Sequence, residues 1–178
     1  PPPEDEPKVA EPPPAIFAPA KIDMDAASAE NRSVKEEVLK RVDTIPSLSQ
    51  ANRDKLYTAV ERARSMGKVL VIPFASGARS ISSADAQELK NALEKPDVMK
   101  IRDDPTAVFV VLGFADPKGD AKKNLEISQT RADAAVDAMK NKAGVVNVTH
   151  AVAMGGSNLV DAQKLEKNRI VEVWAVLP

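Results

Sequence analysis

The chain has 178 residues, 25 lysines and arginines against 26 acids, a formal net charge of −1 and no cysteine. That balance leaves no basic footprint for nucleic acid, and four Phe, one Tyr and one Trp are too few for base stacking. Without cysteine there is no disulfide framework, no thiolate nucleophile and no Cys-based zinc site, and no run reaches the roughly 18 apolar residues of a membrane span.

The length suits one domain with a sizeable core plus extra segments. The opening PPPEDEP is neither a secretory signal nor a natural start, so the chain is expected to be trimmed from a longer one. Residues 1–30 hold eight of the fourteen prolines among Glu, Asp, Lys and Ala, a composition that predicts a disordered, polyproline-like tether. Its PPP clusters lack the repeated, basic-flanked pattern of a ligand for proline-recognition domains. Residues 31–66 read as two amphipathic helices. Val34, Val38, Leu39 and Val42 recur at helical spacing up to Pro46, and Leu56, Val60 and Ala63 share a face from Leu48 to Met66. Helices of this kind pack on a neighbouring domain or serve self-association.

A globular domain is expected over 67–178. Lys68 to Phe74 predicts a strand that ends, lies at an edge or bulges at Pro73. Ser82 and Asp85 at capping spacing start a helix over 83–94, and a loop is expected from 95 to 105. Ala107 to Leu112 (AVFVVL) fits a fully buried strand. Asp116-Pro117 and Gly119 are turn formers, and Asp120 is placed to cap a helix from Ala121 to Lys142, before Gly144. A strand over 145–153 follows, and Arg169 to Leu177 is the last. This last strand has apolar residues on both faces, which leaves its inward face open. Strand and helix alternation argues for parallel pairing.

The stretch Gly113 to Ala132 (GFADPKGDAKKNLEISQTRA) organises the rest. Asn124, Ser128 and Arg131 lie at i, i+4 and i+7 and share one helix face, with Asp116 at the preceding strand end. A carboxylate and a guanidinium placed this way either pair with each other as a structural ion pair or flank a zwitterionic ligand. In the second case Asp takes an ammonium and Arg takes a carboxylate through its planar fork.

These residues resemble the signature of the OmpA C-terminal-like (OmpA/Pal/MotB) family of peptidoglycan-binding domains, G-[YFH]-[TA]-D-x-x-G-x4-N-x-x-L-S-x-x-R-A. It is filled here by Gly113, Phe114, Ala115, Asp116, Gly119, Asn124, Ile127, Ser128, Arg131 and Ala132, with Ala115 where Thr is commoner and Ile127 where Leu is usual. Phe74 to Ile81 resembles the F-x-S-G-x-x-x-[LI] segment. Met154 to Leu159 resembles G-x-G-x-S-N-P with Leu159 for proline, and Asn168-Arg169 with Val171-Glu172 resembles N-R-R-V-E with Ile170 for the second arginine. The resemblance implies an α+β fold, an OmpA-like β-α-β-α-β-β sandwich in which helices pack on a mixed sheet, here preceded by two extra helices. It further implies that Asp116 and Arg131 hold the diaminopimelate side chain of the stem peptide and that Asn124 lines the pocket. Arg169 would reach the pocket, and the loop with Ser76 and Gly77 would border it.

Other chemistry has weaker support. His150 is the only histidine and reads as a structural strand residue. GGSNL follows neither a nucleophile elbow nor a phosphate loop, and no calcium-loop spacing occurs. Neither metal nor cofactor is expected, and no enzyme. The function that the resemblance implies is anchoring an envelope protein to peptidoglycan in the periplasm, tethered to the outer membrane through an anchor outside this chain. The alternative is an interaction module on the same fold that binds another envelope protein or self-associates through 31–66.

Overall fold

A computed structural model describes residues 15–157 and 163–178. In chain order the elements are α1 (Ala29–Arg41), a 3-10 turn (Val42–Thr44), α2 (Gln50–Glu61), β1 (Ser65–Pro73), α3 (Ser83–Leu93), α4 (Pro96–Arg102), β2 (Val108–Ala115), α5 (Ala121–Asn141), β3 (Thr149–Gly156), a second 3-10 turn (Leu165–Asn168) and β4 (Ile170–Leu177). The class is the α+β mixed sheet implied above.

Local chemistry starts and stops these elements. Ser49, Ser82 and Asp120 each accept a backbone N–H of the first turn of α2, α3 and α5, satisfying donors that a helix start leaves unpaired. α5 ends where Gly144 turns to φ +68° and the Val145 amide reaches back to the Met139 carbonyl at 2.9 Å.

The strands lie in the order β1-β4-β2-β3, with β2 parallel to β3 and β4 antiparallel to both neighbours. The expected parallel direction therefore holds for β1, β2 and β3 relative to one another, but β4 inserts between β1 and β2. β1 is an edge strand that ends on Pro73 and bulges between Lys68 and Leu70. Residues 15–28, expected in the tether, run along its outer edge. Phe17 and Val71 exchange backbone hydrogen bonds at 3.0 and 2.8 Å, and Met66 donates to the Met24 carbonyl at 3.2 Å. The first fourteen residues of that tether lie outside the described residues.

Helices cover both faces of the sheet, which resolves the ambiguity of the last strand. Val171, Val173 and Ala175 of β4 join Phe109 and Val111 in a core closed by α3, α4 and α5. Ile170, Trp174 and Val176 join Val110, Leu112 and Met154 in a second core closed by Val38, Leu56 and Val60 of α1 and α2. A central strand covered on both sides is apolar at nearly every position, Glu172 being the exception in β4, whereas a half-buried strand alternates. Each fully buried Leu or Val contributes about 1.5–3 kcal/mol.

Several boundaries differ from the sequence expectation: α1 begins at Ala29, and β2 runs on past Leu112 to Ala115. α2 stops at Glu61 and Met66 lies in β1, since the apolar face of α2 is complete by Val60. β3 begins at Thr149 rather than at Val145, because Val146 is exposed to solvent outside the sheet. The expected loop over 95–105 contains α4, with Pro96 in its first turn and Val98 buried. Tertiary bonds hold that short helix. Arg102 donates to the Leu93 carbonyl at 3.0 Å and the Ala143 carbonyl at 2.8 Å, tying the ends of α3 and α5 together.

Gly113 sets the distance between α5 and the sheet. A Cβ there would lie 1.9 Å from the Ser128 carbonyl oxygen, so only glycine lets the helix cross β2 this closely.

Candidate functional site

The C-terminal end of β2 delivers Asp116 into a turn that its own carboxylate organises, Oδ1 accepting the Lys118 amide at 3.0 Å. Gly119 supplies the left-handed position of the turn at φ +90°. Asn124, in the first turns of α5, is buried and donates from Nδ2 to the Lys118 carbonyl at 3.0 Å. Gly156 at the end of β3 abuts the same amide, because a Cβ there would lie 3.1 Å from Nδ2. Asn124 thus holds the turn against α5 as well as lining the pocket beside it.

Two turns further along α5, Arg131 is 1% exposed. Its guanidinium donates from Nε to the Ala78 carbonyl at 2.8 Å, from Nη1 to Phe114 at 3.1 Å and from Nη2 to Ala75 at 3.5 Å. It also lies 5.2 Å from the centroid of the Phe74 ring. One cation therefore ties the 75–78 loop to the end of β2. Among the described residues no carboxylate pairs with it. Burial, then the nearby charges of Arg169 and Arg79, pull its pKa down to about 10, so it stays protonated at neutral pH.

Asp116 faces a different arginine from the one its sequence spacing suggested. Its Oδ2 lies 3.9 Å from Nη1 of Arg169, at the outer limit of an ion pair, with both side chains partly exposed. Such a pair has small net worth and is easily exchanged. Nε of Arg169 is buried and has no hydrogen-bond partner among the described residues. The structure brings Asp116, Asn124, Arg131, Arg169, Ser76 and Gly77 to the walls of one pocket of about 510 Å³. Ser128, which shares the helix face with Asn124 and Arg131, is fully buried instead. Its hydroxyl donates to the Leu125 carbonyl at 2.8 Å and accepts the Gly155 amide at 2.9 Å, fixing β3 to α5.

The sequence model of the OmpA family matches residues 73–171, more than half of the chain. The chain belongs to the OmpA family. Outer membrane protein 41 of Porphyromonas gingivalis is 32% identical over 89 residues, which are 50% of this chain and 22% of that protein, so the chain spans about a fifth of that relative's length. The periplasmic domain of MotB is 15% identical and superposes with a TM-score of 0.50 over 91% of this chain and 90% of that one. The peptidoglycan-associated lipoprotein from Burkholderia pseudomallei is 19% identical, with a TM-score of 0.48 over 66% of this chain and 92% of that one. The fold of the MotB domain is shared; at such identity nothing more follows from it.

The OmpA-family pocket also contains residues that the signature does not include. Arg79, Lys118 and Lys123 line it, beside the signature positions Ile127 and Ala115, the latter standing in the wall without a hydroxyl. Only the density of basic residues around Gly77, Gly119 and Asn124 could have pointed to them. Leu159, at the position of the family's proline, lies outside the described residues. His150 sits in β3 opposite Val110, inside the sheet, and is not among the residues that line the pocket. No group of His, Cys, Asp or Glu among the described residues could hold a metal, and none of the described helices is long and apolar enough to cross a membrane.

Proposed function

We propose that this OmpA-family domain binds peptidoglycan without chemical turnover, by clamping the zwitterionic end of a diaminopimelate side chain. Asp116 receives the ammonium and Arg131 the carboxylate, while Asn124 and the Ser76-Gly77 loop close the pocket and Arg169 lies beside the carboxylate of Asp116. The observation that carries this reading is Arg131. A guanidinium that is 1% exposed, keeps its proton and has no carboxylate partner among the described residues holds a charge that a ligand carboxylate would neutralise. Asp116 supports it, since the long contact to Arg169 leaves the carboxylate available to an incoming ammonium. In this reading the domain anchors an envelope protein to the cell wall in the periplasm, and the proline-rich N-terminal segment leads to an outer-membrane anchor outside this chain. A partner that used α1 and α2 would meet their outward residues, such as Tyr57, because their apolar positions are buried against the sheet.

A backbone NMR titration of the chain with meso-diaminopimelate tests this directly. Saturable shifts should appear at Asp116, Asn124 and Arg131 and vanish in Asp116→Asn, the cleaner variant because Arg131 also holds backbone carbonyls. Silence with both the free amino acid and purified sacculi would sink the reading and leave the interaction module in its place.

A further inference from the structure

The pocket carries more positive charge than a zwitterion can use. Arg79, Lys118, Lys123, Arg131 and Arg169 line it, against Asp116 as the one carboxylate among the described residues of its wall. A side-chain end with one ammonium and one carboxylate is neutral and leaves that surplus unchanged. Asp116 is moreover shared with Arg169 already, so an ammonium arriving there competes with that arginine for its partner. The cations are layered by depth. Arg131 is buried, Arg169 and Asp116 are partly exposed, and Arg79, Lys118 and Lys123 are exposed at the rim. A volume of about 510 Å³ falls in the range that takes a ligand well beyond one side-chain end.

We infer that Arg79, Lys118 and Lys123 determine specificity by reading a second carboxylate on the wall peptide, that of the acidic residue next to diaminopimelate. The domain then separates stem peptides in which this carboxylate is free from those in which it is an amide. The inference rests on the wall-binding reading above. The γ-glutamyl link puts two methylenes and the α-carbon between its carbonyl and the free carboxylate, so a ligand whose diaminopimelate fills the floor carries that carboxylate towards the rim. Exposed cations there act by Coulomb attraction in high dielectric, which makes the discrimination modest and dependent on salt.

The experiment uses the full chain and two synthetic tripeptides, alanyl-γ-glutamyl-diaminopimelate with the glutamyl α-carboxylate free or amidated. Calorimetry at low salt should show the free form binding roughly fivefold tighter, a preference that shrinks as salt is added. The triple variant Arg79→Gln/Lys118→Gln/Lys123→Gln should lose the preference while still binding diaminopimelate saturably. Should the triple variant fail to fold, Arg79→Gln and Lys123→Gln are read singly in the same way. Equal affinity for both peptides, with diaminopimelate binding intact, overturns the inference and spares the wall-binding reading. A preference that survives the rim substitutions overturns the assignment to these residues. Failure of the parent to bind either peptide or diaminopimelate overturns both.

Discussion

Two charged side chains are buried among the described residues of this domain, and the chain treats them in opposite ways. Glu172 of β4 is 6% exposed, and its carboxylate lies 3.6 Å from Nζ of Lys68 and accepts from Nε1 of Trp174 at 3.2 Å. Lys68 in turn reaches Glu30 of α1 at 2.6 Å, so sheet and helix are joined through one ammonium. Arg131 is buried more deeply and, among the described residues, is met by three carbonyl dipoles and the Phe74 ring but by no carboxylate. Burial alone therefore does not mark a functional charge. What separates the two is whether the counter-charge comes from the chain itself, because a desolvated charge without one is costly and gains most from a ligand that brings it.

The strongest way to break this contrast is Arg131→Ala. Three carbonyls lose a shared donor and the 75–78 loop loses its tie to β2, so unfolding in urea should show a loss of about 2–4 kcal/mol together with complete loss of wall binding. Full stability in that variant would mean that the guanidinium is held for the ligand alone.

Lys68→Met makes Glu172 resemble Arg131 by removing its partner. The expected cost is about 2 kcal/mol at neutral pH, with binding to sacculi unchanged. The pH dependence gives the sign. Burial first of all raises the pKa of Glu172 above the usual carboxylate range, and the lysine opposes that shift. A carboxyl group with a raised folded pKa favours the folded state below its unfolded pKa and loses that contribution as pH rises through the folded one. The variant should therefore regain stability on acidification towards pH 5. A flat profile in thermal melts would show that Lys68 does not carry the charge balance of Glu172.

The smallest effect belongs to His150, a third buried titratable group, which avoids the cost by giving up its proton. Burial, followed by the charges of Lys140 and Lys55, lowers its pKa below 6.5. A depressed histidine contributes stability that is fully present above the ordinary value of 6.5 and is lost as pH falls. The chain should thus weaken slightly between pH 7 and pH 5, and His150→Gln should flatten that slope in melts recorded across the range. An unchanged slope would assign the acid sensitivity to other groups.

Much of the site was legible because it is local. Asp116, Asn124 and Arg131 fall within one turn and the helix after it, where helical spacing and capping chemistry place side chains directly. The ends of the helices were legible for the same reason, as Ser82 and Gly144 show. What went unseen depends on residues far apart in the chain. Asp116 meets Arg169 fifty-three positions later, and Arg131 binds the carbonyl of Ala78 fifty-three positions earlier. No periodicity reports such contacts. The sequence of α4 reads as loop because its few apolar residues form no stripe, and its anchor, Arg102, acts through carbonyls of α3 and of the segment after α5.

By itself, then, the sequence determined the family, the helix limits set by caps and glycine, and the signature that gathers a carboxylate, an amide and a guanidinium along one strand–turn–helix unit. These depend on chemistry within a few residues. The tertiary structure alone decided that β4 lies between β1 and β2, that Asp116 is shared with Arg169, and that Arg131 meets no carboxylate among the described residues. Those outcomes follow from which strands pair and which side chains are buried together, and burial and charge compensation are properties of the packed chain, not of any one segment.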